Sequence, residues 1–193
     1  MTYTKEKIIE TAFVLLLKNG YNGVSIGTIT GELNIARSLP YRYFKSKRDL
    51  LFEACKQFYY ERYFPESFDF EKAGLSDIIN IVSRNLMFVL TVFGKSSDAE
   101  ISVFDYNAMY LDMLRHEPRF KKYMRLKILK MREVIERAAQ KGELKENVSV
   151  GFVERGFLDI WSRCANVQES LTNRENIECI MADINMFYSL VKR

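Results

Sequence analysis

The sequence predicts an all-α protein in which an N-terminal three-helix helix-turn-helix head joins a larger helical body. Apolar residues recur three or four positions apart along most of the 193-residue chain. Only 3 prolines and 9 glycines interrupt the chain, which leaves room for long helices. No stretch alternates polar and apolar residues for long enough to predict a strand.

The first two helices of the head are predicted from the residues at their ends. A helical apolar pattern covers Lys5–Lys18, and Gly20 then ends this helix because glycine adopts a positive φ without strain. Ser25 is a suitable N-cap for a second helix. That helix is expected to end near Leu33, because Asn34 tolerates the left-handed conformation.

A third helix is predicted over residues 37–43, and a proline lies inside it. Pro40 cannot donate a backbone hydrogen bond and it restrains Leu39, so this helix is expected to begin as a tight 3₁₀-like turn. Ser46 then caps a fourth helix that runs to about Tyr63.

The body is expected to begin at Pro65 and to be helical as well. Its helices are predicted over residues 76–93, 98–114, 119–141, 149–168 and 173–190, with Thr172 and Glu175 as a capping box for the last. The predicted domains are therefore residues 1–64, which hold the head and its connecting helix, and residues 65–193.

The positive charge of the chain is concentrated in the head. The net charge is +4, and residues 1–64 hold 10 basic and 6 acidic side chains, whereas residues 65–193 hold 19 of each. Between Arg37 and Arg48 there are five basic residues and no acidic one. A local field of this sign suits a phosphate backbone, although a solvated surface explains a short basic cluster equally well.

Composition excludes several classes of protein. No apolar run approaches the roughly 20 residues that cross a bilayer, and the N-terminus lacks the layout of a secretory signal. We therefore expect a cytoplasmic protein without a membrane partner. The single histidine, His116, has no metal ligands at a suitable spacing, and the sequence contains no phosphate-binding glycine loop or catalytic constellation. Neither a metal, a cofactor nor an enzymatic activity is predicted.

The segment from Lys5 to Leu51 contains a set of residues in a distinctive register. The set comprises Gly20, Ser25, Ile29-Thr30, Asn34-Ile35, Tyr41-Arg42-Tyr43-Phe44, Lys47 and Leu50-Leu51. In this respect the segment resembles the N-terminal DNA-binding domain of the TetR family of bacterial transcriptional regulators. The resemblance in register covers about a quarter of the chain, and the remainder is similar in its helical pattern and length.

Several residues depart from the pattern of that family. Thr30 replaces the usual alanine, and Ser38 replaces a glycine. Ala36 stands where a serine or threonine usually caps the recognition helix, so a cap worth about 1 kcal/mol is missing. Pro40 is the largest departure. We therefore expect a recognition helix that differs from those of relatives, and its base preference cannot be transferred from them.

The resemblance implies a ligand-responsive regulator, usually a repressor, that binds a palindromic operator in double-stranded DNA as a homodimer. The residues that it implies at the DNA are Ser25, Arg37, Ser38, Leu39, Tyr41, Arg42, Tyr43 and Lys47. At the start of the recognition helix, Arg37 can form a bidentate pair with guanine O6 and N7. In the first turn of the next helix, Lys47 can hold one phosphate.

The same resemblance implies a dimer interface and an effector pocket in the body. Dimerisation through the last two helices implies an interface that includes Phe157, Trp161, Ile177, Ile180, Ile184 and Phe187. A hydrophobic or aromatic effector is expected near Phe88, Phe104, Met109, Tyr110, Met113 and Trp161, with Asp105, Asp112 or Arg163 as polar partners. Side chains of this kind at helical spacing are more often core than pocket.

Two other functions stay open at this point. A helical small-molecule-binding or interaction protein with a degenerate DNA-binding head is the alternative, because Pro40 and Ala36 weaken the match. A small helical enzyme is a third possibility, against which the missing catalytic constellation counts.

Overall fold

The computed structural model describes residues 5–61, 67–81, 83, 103–163 and 172–193, and these residues confirm the all-α prediction. The helices are α1 Lys5–Gly23, α2 Ile26–Leu33, α3 Lys47–Cys55, α4 over residues 75–81, α5 Val103–His116, α6 Pro118–Gln140, α7 Val150–Arg163 and α8 Asn173–Val191. An isolated β-bridge pairs Leu144 with Lys192.

The described helices form two compact units. Unit 1 contains residues 5–61 together with residues 105–124, and unit 2 contains the other described residues. The domain boundary predicted at Pro65 lies outside the described residues. Residues 105–124, which begin forty residues beyond that boundary, thus pack with the N-terminal helices. The sequence pattern did not indicate this packing.

Apolar faces from both parts of the chain form the core of unit 1. Its fully buried side chains include Ile8, Phe13, Leu16, Ile29, Leu50, Leu51, Met109, Met113 and Phe120. Tyr59 is also buried, with its ring centroid 4.8 Å from that of Tyr106 and 5.3 Å from that of Tyr110. Burial of one large apolar side chain stabilises a fold by roughly 1.5–3 kcal/mol, so α5 contributes substantially to this core.

Most of the predicted helix caps are confirmed. Ser25 Oγ accepts a hydrogen bond from Thr28 N at 3.0 Å, and Asn34 has φ 51° and ψ 50°. Ser46 Oγ accepts from Asp49 N at 3.1 Å. The capping box of α8 is present, since the side chains and backbone amides of Thr172 and Glu175 bond to each other reciprocally. These caps satisfy amide groups that the first turn of a helix leaves without a partner.

Two predicted helix ends differ from the structure. After α3 the chain continues as a π-helical turn over Lys56–Tyr60, and the predicted end at Tyr63 lies outside the described residues. The helix predicted to start after Ser76 begins at residue 75. Its start is stabilised by Asp77, whose carboxylate accepts a hydrogen bond from Gly74 N at 2.8 Å.

Gly20 has a positive φ, as predicted, but it kinks α1 instead of ending it, because α1 continues to Gly23. We expect replacement of Gly20 by alanine to destabilise unit 1. Gly20 has φ 66° and ψ 175°, and a Cβ there would lie 3.2 Å from Asp112 Oδ2. The backbone strain alone costs about 1–3 kcal/mol. Gly31→Ala in α2 is the matched control, because a Cβ at Gly31 meets no described atom within 4 Å. Urea unfolding should show a loss for Gly20→Ala and no loss for Gly31→Ala, and equal midpoints would contradict this account.

In unit 2, α7 and α8 pack through a close glycine–aromatic contact. A Cβ at Gly156 would clash with the ring of Phe187, so only glycine allows the two helices this approach. The Phe187 ring also meets Phe157 edge-on, with centroids 5.3 Å apart. The end of α8 is held as well, because Lys145 N donates to Val191 O at 3.0 Å and Arg193 N donates to Glu143 O at 2.9 Å.

Candidate nucleic-acid interface

The predicted recognition helix is a short series of tight turns rather than an α-helix. Leu39 N donates to Ala36 O at 2.9 Å, and a single 3₁₀ turn follows over Pro40–Arg42. Tyr43 N then donates to Pro40 O at 3.0 Å. Pro40 has no N–H that could reach Ala36 O, so that carbonyl pairs with Leu39 instead. The 3₁₀ start predicted from Pro40 is confirmed, whereas the α-helix predicted over residues 37–43 is wrong.

The turns expose a group of polar and aromatic side chains, which we call the basic-aromatic surface: Arg37, Ser38, Tyr41, Arg42 and Tyr43. Tyr41 is 55% exposed and Tyr43 44% exposed, which is unusual for side chains of this size. Pro40 and Phe44 are buried beneath them, and Leu39 is half-buried. The buried residues anchor the segment, so the exposed ones are presented outward from a fixed backbone.

The start of α2 lies beside one end of this surface. A Cβ at Gly27 would lie 3.5 Å from Ser25 Oγ and 4.0 Å from Arg37 Cζ. The guanidinium of Arg37 is therefore close to the first turn of α2, where Ser25 and Thr28 are exposed. Ser25 and Arg37, predicted separately to contact DNA, are thus brought together. Thr28 was missed by sequence reasoning, although its place three residues after the cap was a usable signal.

The structure explains how α2 accommodates Thr30 in place of the usual alanine. Thr30 is buried, and its hydroxyl donates to Ile26 O at 2.9 Å within the helix. A buried hydroxyl with a partner costs little, so this departure from the family pattern leaves the helix intact.

Lys47 is placed differently from the other predicted DNA contacts. Its Nζ donates to Tyr21 O and to Val24 O, both at 2.8 Å, and lies 4.5 Å from the centroid of the Tyr21 ring. Partial burial of the ammonium lowers the pKa of Lys47, and the charge of Asp112 opposes this effect. Two of its three N–H donors are used within the protein, and the phosphate contact predicted for Lys47 stays a prediction.

A carboxylate from α5 binds the same part of α1. Asp112 Oδ2 accepts from Tyr21 N at 2.5 Å, and Asp112 Oδ1 lies 3.3 Å from His116 Nε2. The imidazole of His116 stacks on the Tyr21 ring with centroids 4.8 Å apart. Asp112 was considered as a polar partner for an effector, and the structure shows it bound to the backbone of the head instead.

A buried carboxylate joins α3 to the start of α6. Glu117 is fully buried, and it accepts from Arg48 Nε at 2.9 Å and from Arg119 at Nε (3.0 Å) and Nη2 (2.8 Å). Burial alone would raise the pKa of Glu117, but the hydrogen bonds from Arg119 and Arg48 outweigh it and lower the pKa to about 2. Arg119 also reaches Asp49 at 2.8 Å. Arg48 and Arg119 therefore form ion pairs within the protein.

The residues predicted to line an effector pocket divide into two groups. Met109 and Met113 are buried in the core of unit 1, and Tyr110 stacks on Tyr59 there. The structure thus places these three in the core. The side chains of Phe88, Phe104 and Trp161 lie outside the described residues, as does that of Arg163. Among the residues that the structure describes, no group of three potential metal ligands comes together.

The residues predicted for a dimer interface mostly pack within unit 2. Phe157, Ile177, Ile180 and Ile184 are buried in the chain, and Phe187 packs on Gly156; the side chain of Trp161 lies outside the described residues. The outward apolar side chains of α7 and α8 are instead Phe152, Leu158, Met186 and Leu190. The dimer interface predicted from the resemblance stays a prediction.

A family model matches most of the head. Residues 8–54 match the family model described as bacterial regulatory proteins, tetR family. This segment is similar to the N-terminal domain of the TetR family. The match covers most of α1, all of α2, the basic-aromatic surface and most of α3.

A curated relative and two solved structures are also similar to the chain. Over 58 residues the chain is 38% identical to an uncharacterised HTH-type transcriptional regulator, YerO, of Bacillus subtilis, a match that spans 30% of this chain but only a fifth (20%) of that protein. The TetR-family regulator PfmR of Thermus thermophilus has a TM-score of 0.66 at 17% identity, with 100% of both chains covered. FadR of Bacillus subtilis, in complex with stearoyl-CoA, has a TM-score of 0.62 at 16% identity, covering 97% of this chain and 99% of FadR. At these identities the likeness to the two structures concerns the TetR fold.

Among the helices that the structure describes, none is both long and apolar enough to span a membrane.

Proposed function

We propose that the chain is a sequence-specific DNA-binding transcriptional regulator whose basic-aromatic surface enters the major groove. The observation that carries the proposal is the exposure of two tyrosines and two arginines on a TetR-family head, with the anchoring residues buried beneath. Lysine, arginine and tyrosine at such a surface bond phosphate oxygens, and arginine pairs with guanine in the major groove.

Different residues of the basic-aromatic surface are expected to contact different parts of the DNA. Arg37 lies beside the start of α2 and is the candidate for direct base reading. Tyr41, Arg42 and Tyr43 follow the 3₁₀ turn, where phenol and guanidinium groups can bond phosphates while the rings pack on sugars. Ser38 is exposed between them and can reach a base or a phosphate.

We propose residues 1–64 as the DNA-binding head and residues 65–193 as a body that binds an effector and dimerises. An apolar effector is supported by the supply of aromatic residues in the body and by FadR, a structure of the same fold that holds stearoyl-CoA. Effector binding would then favour a conformation in which two heads no longer match the operator, as in a repressor. A cytoplasmic location follows from this role.

A homodimer would use the outward face of α7 and α8. Phe152, Leu158, Met186 and Leu190 are exposed large apolar side chains on these helices. Exposed large apolar side chains commonly mark protein–protein interfaces when they form a patch. Two heads related by a two-fold axis would bind a palindrome with half-sites about one helical turn apart.

The Met186→Glu variant should be monomeric if this face forms the dimer. Met186 is 63% exposed, so the variant keeps its fold, whereas a buried unpaired carboxylate in an interface should weaken association at least a hundredfold. Leu126→Glu is the control, since Leu126 is 50% exposed on α6. Sedimentation velocity should give a monomer for Met186→Glu and a dimer for Leu126→Glu. Identical behaviour of the two variants would show that another face is used.

Selection of binding sites from random duplex DNA tests the proposed function. Enrichment of a palindrome with a fixed half-site spacing is expected. A protein that enriches no sequence, but binds apolar ligands such as a long-chain acyl-CoA, would instead be a ligand-binding protein with a degenerate head.

A further inference from the structure

We propose that Lys47 is a positioning residue that holds the corner between α1 and α2 for DNA binding, and that Asp112 holds the same corner from α5. The corner is defined as residues 20–25. This inference rests on the proposed DNA-binding function, and it assigns Lys47 a role within the protein in place of a contact with a DNA phosphate.

The position of Lys47 is explained by the end of α1 rather than by the start of α3. A cation in the first turn of a helix is not favoured by the dipole of that helix. The carbonyls at the end of a helix, in contrast, lack partners and carry partial negative charge. Lys47 Nζ reaches the carbonyl of Tyr21 in the last turn of α1 and that of Val24, the residue after α1, at 2.8 Å each. The ammonium is therefore a cap for α1 supplied by α3.

Asp112 binds the backbone of the corner as well. Tyr21 donates its N–H to Asp112 at 2.5 Å and accepts at its C=O from Lys47, so both backbone polar groups of one residue are bound by charged side chains. Hydrogen bonds to charged groups are roughly twice as strong as neutral ones. The glycine at position 20 allows this approach, because a Cβ there would lie 3.2 Å from the carboxylate.

The corner determines where α2 begins. Ser25, the N-cap of α2, is the last residue of the corner and directly follows Val24, which Lys47 binds. The first turn of α2 lies against Arg37 of the basic-aromatic surface. Loss of either charged contact should therefore loosen the end of this surface that carries Ser25 and Arg37, without removing a group that touches DNA.

Asp112→Ala tests whether Asp112 affects DNA binding through its charge or through its hydrogen bond to Tyr21 N. A carboxylate near DNA repels phosphates, so if only its charge matters, its removal should tighten DNA binding. Release of Tyr21 N should instead weaken binding, and we expect a loss of about tenfold on the selected palindromic duplex at fixed salt. Unchanged or tighter binding by Asp112→Ala would overturn the proposal.

A double-mutant cycle tests whether Lys47 and Asp112 act on one structure. We expect Lys47→Met to bind DNA about tenfold more weakly than wild type, with the same salt dependence. The double variant should bind DNA no more than about threefold more weakly than the single variant that has the lower affinity. A phosphate contact would instead lower the salt slope by about one and make the two losses multiply to about a hundredfold. Lys45→Met, which removes an exposed cation two residues away, is the charge-matched control.

Amide hydrogen exchange without DNA tests the corner independently of function. Both Asp112→Ala and Lys47→Met should speed exchange of the Tyr21 amide at least tenfold, whereas Lys45→Met should not. If exchange of the Tyr21 amide is unchanged in both variants, the proposal that Lys47 and Asp112 hold the corner is wrong, even if DNA binding falls. Conversely, a wild-type protein that binds no DNA would refute the proposed function, while exchange at Tyr21 would still decide whether the corner is held. Should Lys47→Met fail to fold, Asp112→Ala carries both measurements.

Discussion

The Glu117→Gln variant should lose about 3 kcal/mol of the free energy of unfolding of unit 1 at pH 7. Glu117 is fully buried, and its carboxylate binds Arg48 and Arg119. Its pKa of about 2, against an ordinary value of 4.5, corresponds to roughly 3 kcal/mol of preference for the charged form in the folded protein. Glutamine has nearly the same shape but no charge, so two guanidinium groups lose their anionic partner.

The pH dependence of the free energy of unfolding tests the contribution of Glu117 in a second way. Because the folded pKa lies below the unfolded one, the contribution of Glu117 is fully present above about pH 4.5 and is lost as the pH falls through about 2. Wild-type stability should therefore fall over this range more steeply than that of Glu117→Gln. Between pH 5 and 8 the difference between the two proteins should stay constant.

Glu136→Gln in α6 is the matched control for Glu117→Gln. Glu136 pairs with Arg132 at 3.0 Å, but its side chain is 45% exposed. Exposed pairs of this type contribute less than about 1 kcal/mol. Urea unfolding of both variants separates the cases, and equal losses for Glu117→Gln and Glu136→Gln would show that the buried cluster contributes no more than a surface pair.

On the selected palindromic duplex, Arg37→Ala and Tyr43→Ala should each lose at least tenfold in affinity while melting at the wild-type temperature. Both side chains are exposed, so their truncation removes little packing. A bidentate arginine–guanine pair is worth about 1–3 kcal/mol, which corresponds to roughly five- to 150-fold in affinity. Arg37→Ala should also relax the preference at one base pair, whereas Tyr43→Ala should weaken all sequences alike.

Arg115→Ala is the control for these two variants. Arg115 is an exposed cation in unit 1 outside the basic-aromatic surface, so its loss changes the charge by the same amount as Arg37→Ala. Fluorescence anisotropy at fixed salt should show a small loss for Arg115→Ala. A loss as large as that of Arg37→Ala would indicate that net charge, and not the basic-aromatic surface, determines affinity.

Features that depend on a few neighbouring residues were predictable from the sequence. The N-cap at Ser25, the positive φ of Asn34 and the capping box at Thr172 are local hydrogen-bonding or steric effects, and the structure confirms each. The 3₁₀ turn at Pro40 belongs to the same class, because a proline removes one specific donor. The TetR resemblance of the head was likewise carried by a compact run of residues.

Features that depend on distant partners were not predictable. Glu117 is a buried carboxylate because Arg48, 69 residues earlier, lies within reach. The carbonyls that Lys47 binds belong to residues more than twenty positions before it. Spacing alone likewise could not distinguish the inner face of α8, with Ile177 and Ile184, from the outer face that carries Met186. Each case needs the tertiary arrangement, because the helical period defines a face without showing what lies opposite.

The salt dependence of DNA binding by the wild-type protein tests the central claim, that the basic-aromatic surface binds DNA, most directly. Affinity for the selected duplex, measured by anisotropy between 50 and 200 mM salt, should fall by roughly 10³-fold or more, since the proposed dimer, with two such surfaces, would neutralise six or more phosphates. Binding that is absent at 50 mM salt, or that does not change with salt, would contradict the account.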